Sequence, residues 1–248
     1  VFAAFKGLGC LEQEYQIISS LPEQVAPVFV QVLRTQVNHE KAVWPVYIAQ
    51  KMGWQEKDAV KIGAATDILW SLSVIIDDMF DHDSERAGDS SLWSRVGQEQ
   101  ARRLAFEVFG EWMKYLNRID PSIKDLALFF VQRGIDSVVA HKGLGLDADP
   151  NVILANYRDR DDFHSAFPIY ALARTNRADV DEIVLGLRLF NQAGQLVNDL
   201  RDIIPRSGLP RLSDLREGRV SVALKCLYDQ VDSTDQKLIC SLFGAGQV

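Results

Sequence analysis

Apolar residues recur at helical spacing along nearly all of the 248-residue chain, and this periodicity is what most limits its fold. The pattern runs through Gln24–Thr35, Lys57–Ile76, Gln98–Leu116, Ile123–Val139, Ser165–Ala173, Val180–Val197 and Val220–Tyr228. Several of these segments are apolar on more than one side, which predicts burial inside a bundle. Short alternating β-branched runs joined by Asn-Gly or Asp-Gly turns, the mark of hairpins, are absent. The breaks carry turn chemistry, at Asn117–Pro121, Gly143–Pro150, Asn176–Asp179 and Pro205–Pro210. No linker or low-complexity tract divides the chain. The expectation is one all-α domain over 1–248, an antiparallel bundle of about ten helices.

Composition narrows the function. Apolar residues make up 47% and charged residues 25%, too apolar for a disordered chain. Cys10, Cys226 and Cys240 form no metal or redox spacing, which fits a reducing cytosol and predicts a cytoplasmic protein. A formal charge of −7 with no basic stripe argues against nucleic acid as a partner. Ile68–Ile76, between Asp67 and Asp77, falls far short of the roughly 18 residues of a bilayer crossing, so no membrane span is expected. No charged n-region with a following apolar stretch suggests a secretion signal. His39, His82 and His141 lack partners at ligand spacing and read as surface or structural residues.

The informative feature is where the acids fall. The apolar stretch Ile68–Ile76 runs directly into Asp77-Asp78-Met79-Phe80-Asp81. Asp77 and Asp81 are i and i+4, so they share a face, with Asp78 beside them. A helix C-terminus already carries partial negative charge, so carboxylates gathered there need a cation among them. The design recurs after Val180–Val197, where Asn198 pairs with Asp202 and Gln195 with Asp199 at the same spacing. If the two ends face each other, their hard oxygens suit Mg²⁺, which shares its remaining positions with phosphates.

These motifs resemble those of the trans-prenyl diphosphate synthases. Ser73–Asp78 is similar to that family's lead into its first aspartate-rich motif, and Glu85–Trp93 to its ERRGRPTVW stretch. Ser213–Arg219 is similar to its SDLxEGK and Leu242–Gly244 to its late LFG, so the likeness runs from about Asn38 to Gly244. The resemblance implies an all-helical isoprenoid synthase fold around a central cavity, a homodimer, and an allylic prenyl diphosphate bound through a set of about three Mg²⁺ ions. It implies Asp77, Asp78, Asp81, Asp199 and Asp202 as catalytic residues, with Asp77, Asp81, Asn198, Asp199 and Asp202 as metal ligands. Arg86, Gln195, Arg219, Lys41 and His164 would contact the diphosphate. Asn198 stands where the family has Asp, Arg219 where it has Lys, and His164 where it has the Lys of a KT-type motif.

The departures gather on one side. The family's GKRLRP aligns with Glu40–Pro45, so Lys41 stays while both arginines become Ala42 and Trp44. The second arginine after the first motif is Ala87, and the histidine on the preceding helix is Trp70. In that family these cations hold isopentenyl diphosphate, and one lysine cannot supply converging bidentate contacts. The expected reaction is ionisation of an allylic diphosphate, after which the cation cyclises and loses a proton or passes to another acceptor. The alternatives are a conventional short-chain synthase and a non-catalytic partner subunit. Trp44, Trp70, Leu72, Ser73 and Phe106 are expected to line the cavity, with Phe106, Phe109 and Trp112 as its stops. Small side chains at Leu72 and Ser73 favour a C15 or C20 tail over C10.

Overall fold

A computed structural model describes residues 9–23, 25–35, 39–86, 88–204 and 212–247. Gln24, Asn38, Ala87 and the break at Pro205–Pro210, all named above, lie outside the described residues. Among the described residues are twelve α-helices: α1 (Cys10–Ile18), α2 (Ala26–Thr35), α3 (Glu40–Met52), α4 (Glu56–Phe80), α5 (Leu92–Val96), α6 (Gln98–Ile119), α7 (Pro121–Lys142), α8 (Pro150–Asn176), α9 (Asp181–Ile203), α10 (Ser213–Glu217), α11 (Val222–Gln230) and α12 (Ser233–Leu242). The all-α expectation holds. One two-residue ladder, β1 (Glu85–Arg86) with β2 (Asp89–Ser90), is too short to show alternation in sequence. Gly88 supplies the positive φ of 82° that its tight reversal needs.

The chain forms two compact units, Val1–Leu128 with Phe167–Val180, and Phe129–Ala166 with Asp181–Val248. In the first, α4 is the central element. Its Ile62, Ala64, Ala65, Ile68, Leu69, Leu72 and Ile75 are buried, and Trp112 of α6 donates from Nε1 to the Ala65 carbonyl at 2.8 Å. Gly63 lets α3 come close, since a methyl there would sit 2.4 Å from the Ala42 carbonyl oxygen. This helix is long and apolar enough to cross a membrane, with a mean hydropathy of 1.6, but 78% of that window is buried within the protein. The sequence reading stopped it at Ile76; Asp77 and Asp78 are instead helical, and Asp81 is the C-cap.

The second unit closes around Leu146, Ile153, Tyr157, Leu215, Val220, Leu224 and Ile239. Two expectations change here. Helix α8 begins at Pro150 rather than Ser165, because its polar run 155–162 hides the apolar period while ion pairs satisfy its charges. Helix α9 is not buried all round: Leu185, Leu189, Phe190, Val197 and Leu200 are exposed. Its inward positions near the C-terminal end are the carboxylates Asp199 and Asp202.

Candidate active site

The first acidic motif is assembled within the first unit, at the last turn of α4. Asp78 is buried and accepts from Arg86 Nε at 2.6 Å, while Arg86 Nη2 reaches Asp77 Oδ2 at 3.2 Å. The β1 strand that carries Arg86 therefore folds back over the two carboxylates. Burial pushes the Asp78 carboxyl above its ordinary value, although Arg86 pulls it down. Asp78 Oδ2 is a buried acceptor with no hydrogen-bond partner. An orphaned carboxylate oxygen beside exposed Asp77 and half-buried Asp81 makes an all-oxygen donor set that fits a hard divalent cation.

Also in this unit, the Lys41 ammonium lies 5.1 Å from the centroid of the Trp70 ring. The lysine that survives from the basic stretch is thus seated on the aromatic side chain that stands for the histidine. Trp44 is exposed and meets Tyr47 edge-on at 6.1 Å. Leu72 is buried, and Ser73 donates to the Trp70 carbonyl at 2.8 Å. Phe106 corrects the sequence reading. It is not buried: it lies on the outer face of α6, 71% exposed. Fully buried Trp112 is the large α6 side chain against α4, with Phe109 stacked on it at 5.3 Å.

The second motif is assembled within the second unit. Asp199 accepts from the Tyr157 hydroxyl at 2.6 Å and from Gln195 Nε2 at 2.9 Å. Gln195 Oε1 in turn accepts from Arg160 Nη2 at 2.9 Å, and the Tyr157 oxygen accepts from the Val222 amide at 3.2 Å. Burial raises the Asp199 carboxyl even so, and burial with the Asp199 charge raises the Tyr157 phenol. The His141 ring stacks on Tyr157 with centroids 5.9 Å apart, and the Arg160 guanidinium lies 5.5 Å from the same ring. Tyr157 and Arg160, spaced i and i+3 on α8, were missed in the sequence. Their only signal is a polar run inside a helix.

Asp202 is buried at the second motif as well. Both its oxygens are used at the start of α10, accepting from the Ser213 amide (3.0 Å), the Ser213 hydroxyl (2.6 Å) and the Asp214 amide (3.1 Å). Asn198 is exposed. Arg219 pairs with Glu217 at 2.7 Å and lies 3.6 Å from Asp214. His164 is buried, 3.8 Å from Asp161 and edge-on to Phe163.

No sequence-family model matches the chain, and no curated protein matches it by sequence. Solved structures do match by shape. An octaprenyl pyrophosphate synthase from Helicobacter pylori aligns over 98% of this chain and 81% of its own, with a TM-score of 0.81 at 17% identity. A polyprenyl synthase from Caulobacter crescentus, complexed with calcium and isoprenyl diphosphate, covers 100% of this chain and 80% of its own, with a TM-score of 0.81 at 15% identity. An isoprenoid synthase family member from Thermotoga neapolitana covers 98% and 97%, with a TM-score of 0.71 at 13% identity.

The chain has the isoprenoid synthase fold.

In this isoprenoid synthase fold the second unit also carries a titrating group beside its motif. Burial pushes the Asp214 carboxyl up from 3.8 to about 6, opposed by Arg219 and reinforced by Asp199 and Asp202. The folded state therefore holds this proton more tightly than the unfolded state. The resulting stability is full below about pH 4 and is lost as the pH rises through 6. In chelator, Asp214→Asn is expected to flatten the decline between pH 4 and 7. It should raise stability at pH 7 by about 1–2 kcal/mol, read from urea midpoints. A variant whose profile overlays the parent's would reject this account.

Proposed function

We propose that the chain is a divalent-metal-dependent isoprenoid enzyme of the trans-prenyl diphosphate synthase family, and that it ionises a C15 or C20 allylic diphosphate without condensing isopentenyl diphosphate. The observation that carries the reading is the end of α4, where Asp77, Asp78 and Arg86 interlock and an acceptor oxygen of Asp78 stays unpartnered. The fold and the second acidic cluster on α9 support it.

Mg²⁺ bound by these carboxylates would neutralise the diphosphate as its C–O bond breaks. Asp77, Asp81, Asn198, Asp199 and Asp202 would supply oxygens, joined by the unpartnered Oδ2 of Asp78. Asp202 holds the start of α10 and so positions the segment that carries Arg219. Arg86, released from Asp77, can turn its guanidinium charge on developing negative charge while Nε and Nη2 keep their hold on Asp78 Oδ1. Tyr157 and Gln195 fix the Asp199 carboxylate, so its orientation is set before substrate arrives. Apolar surroundings would keep water from the allylic cation.

The acceptor side supports the second half of the proposal. Ala42 is buried against Gly63 where the family has arginine, Trp44 faces solvent, and Lys41 is engaged with Trp70. Cyclisation with proton loss, or transfer to another acceptor, then replaces chain elongation. We further propose a homodimer, to which exposed Phe129, Ile135, Val138 and Val139 on α7 give an apolar face.

The test is one incubation series with Mg²⁺ and geranyl, farnesyl or geranylgeranyl diphosphate, with and without isopentenyl diphosphate. Diphosphate release is expected with the longer substrates, and product profiles should not change when isopentenyl diphosphate is added. Formation of a prenyl diphosphate five carbons longer would overturn the acceptor reading. A higher kcat/KM for the C10 substrate would overturn the chain-length reading, and no diphosphate release from any substrate would overturn the whole.

A further inference from the structure

One polar cluster of the first unit has no part in the proposed reaction, and its member on α4, Asp67, precedes the acidic end of that helix. Glu14 on α1, His39 at the start of α3 and Asp67 within α4 converge in the core, with one ligand atom from each lying within 4.8 Å of the others. They are 1%, 4% and 0% exposed. His39 Nδ1 is 2.6 Å from Asp67 Oδ2. Glu14 Oε1 and Asp67 Oδ1 are buried acceptors with no hydrogen-bond partner.

Glu14 and Asp67 also meet side chain to side chain, an acid–acid contact that takes a proton between them. A proton shared between Glu14 and Asp67 satisfies one oxygen of each and leaves Oε1 and Oδ1 without a donor. A cation serves both acids together. His39 also holds a left-handed φ of 59°, uncommon outside glycine, with its ring turned onto Asp67.

We infer that Glu14, His39 and Asp67 form a buried structural site for one divalent transition-metal ion of the zinc class, tying α1 and the start of α3 to α4. The donor set decides the class. Mg²⁺ and Ca²⁺ take oxygen ligands, and Mg²⁺ keeps several waters, which a closed core cannot house. One imidazole nitrogen with two carboxylate oxygens suits Zn²⁺ at low coordination number. Zinc bonds of about 2.0–2.1 Å in a tetrahedral shell hold donors farther apart than the 2.6 Å between His39 Nδ1 and Asp67 Oδ2, so that pair opens as the ion takes the place of its proton.

The test uses the full chain, stripped with chelator and dialysed against Zn²⁺ in excess Mg²⁺ so that oxygen-only sites are occupied. One tightly held zinc per chain is expected from elemental analysis, unchanged in Asp77→Ala and weakened roughly tenfold or more in His39→Gln. X-ray absorption at the zinc edge of the parent protein needs no variant, and should show imidazole nitrogen together with oxygen ligands. Three outcomes overturn the site: no retained zinc, an all-oxygen shell, or zinc lost in Asp77→Ala but kept in His39→Gln. These readouts involve no turnover, so they stand or fall apart from the proposed reaction.

Discussion

Asp77→Ala and Asp199→Ala are each expected to lower turnover of an allylic diphosphate by about 10²–10³-fold or more, with the helical circular dichroism retained. Chelator should have the same effect on the parent chain. Asp77 is exposed, and its 3.2 Å contact with Arg86 Nη2 is a solvated ion pair whose loss costs about 0–1 kcal/mol. Asp199→Ala removes the acceptor for Tyr157 and Gln195, at a cost of about 1–3 kcal/mol. Tyr157 keeps the Val222 amide as a partner, which limits the damage. Asp78→Ala is the less useful probe, because it also frees the strand carrying Arg86. Thermal melts alongside discontinuous assays separate the two effects. Substantial turnover in chelator, or in either variant, would sink the proposed chemistry.

The acidic ends were legible because i and i+4 spacing survives any detail of packing. Asp77 with Asp81, and Gln195 with Asp199, come close through a single helical turn, and the observed Gln195–Asp199 hydrogen bond is that contact. What α8 adds was not legible, since Tyr157 reaches Asp199 across 42 residues of sequence. The same limit hid Glu14, His39 and Asp67, whose meeting depends on how α1 and α3 dock on α4. His39 was read as surface or structural; it is buried, with Nδ1 2.6 Å from Asp67 Oδ2. Phe106 was misread because a period locates an apolar stripe without saying which aromatic lies inside it. On α6 the buried positions around it include Leu104, Ala105, Val108 and Trp112, which turn Phe106 outward. Helix α9 was misread for a related reason: its apolar residues spread round the helix, but its inward face near the C-terminal end is acidic.

Arg188→Ala is expected to cost about 3–5 kcal/mol, a large part of the roughly 5–15 kcal/mol that holds a domain folded. Asp162 on α8 is fully buried and receives Arg188 of α9 in a bidentate pair, Nε to Oδ1 at 2.8 Å and Nη2 to Oδ2 at 2.6 Å. Arg133 does not replace it, because Arg133 lies 3.7 Å from Asp162 and is already bound to Asp159 at 2.7 Å. The truncation therefore strands a carboxylate in the interior, where its charge has lost most of its solvation. The melting temperature should fall by about 10 °C. Removing both charges, as Asp162→Leu with Arg188→Met, should recover most of the loss, since the penalty lies in the unpaired ion and not in the missing pair. The pair also joins the two helices that hold the second motif. Asp162 follows Tyr157 and Arg160 on α8, and Arg188 precedes Gln195 and Asp199 on α9. A folded fraction of Arg188→Ala should consequently lose turnover before it loses helix content. A melt within about 2 °C of the parent's would show instead that this pair behaves as a solvated surface contact, worth under about 1 kcal/mol.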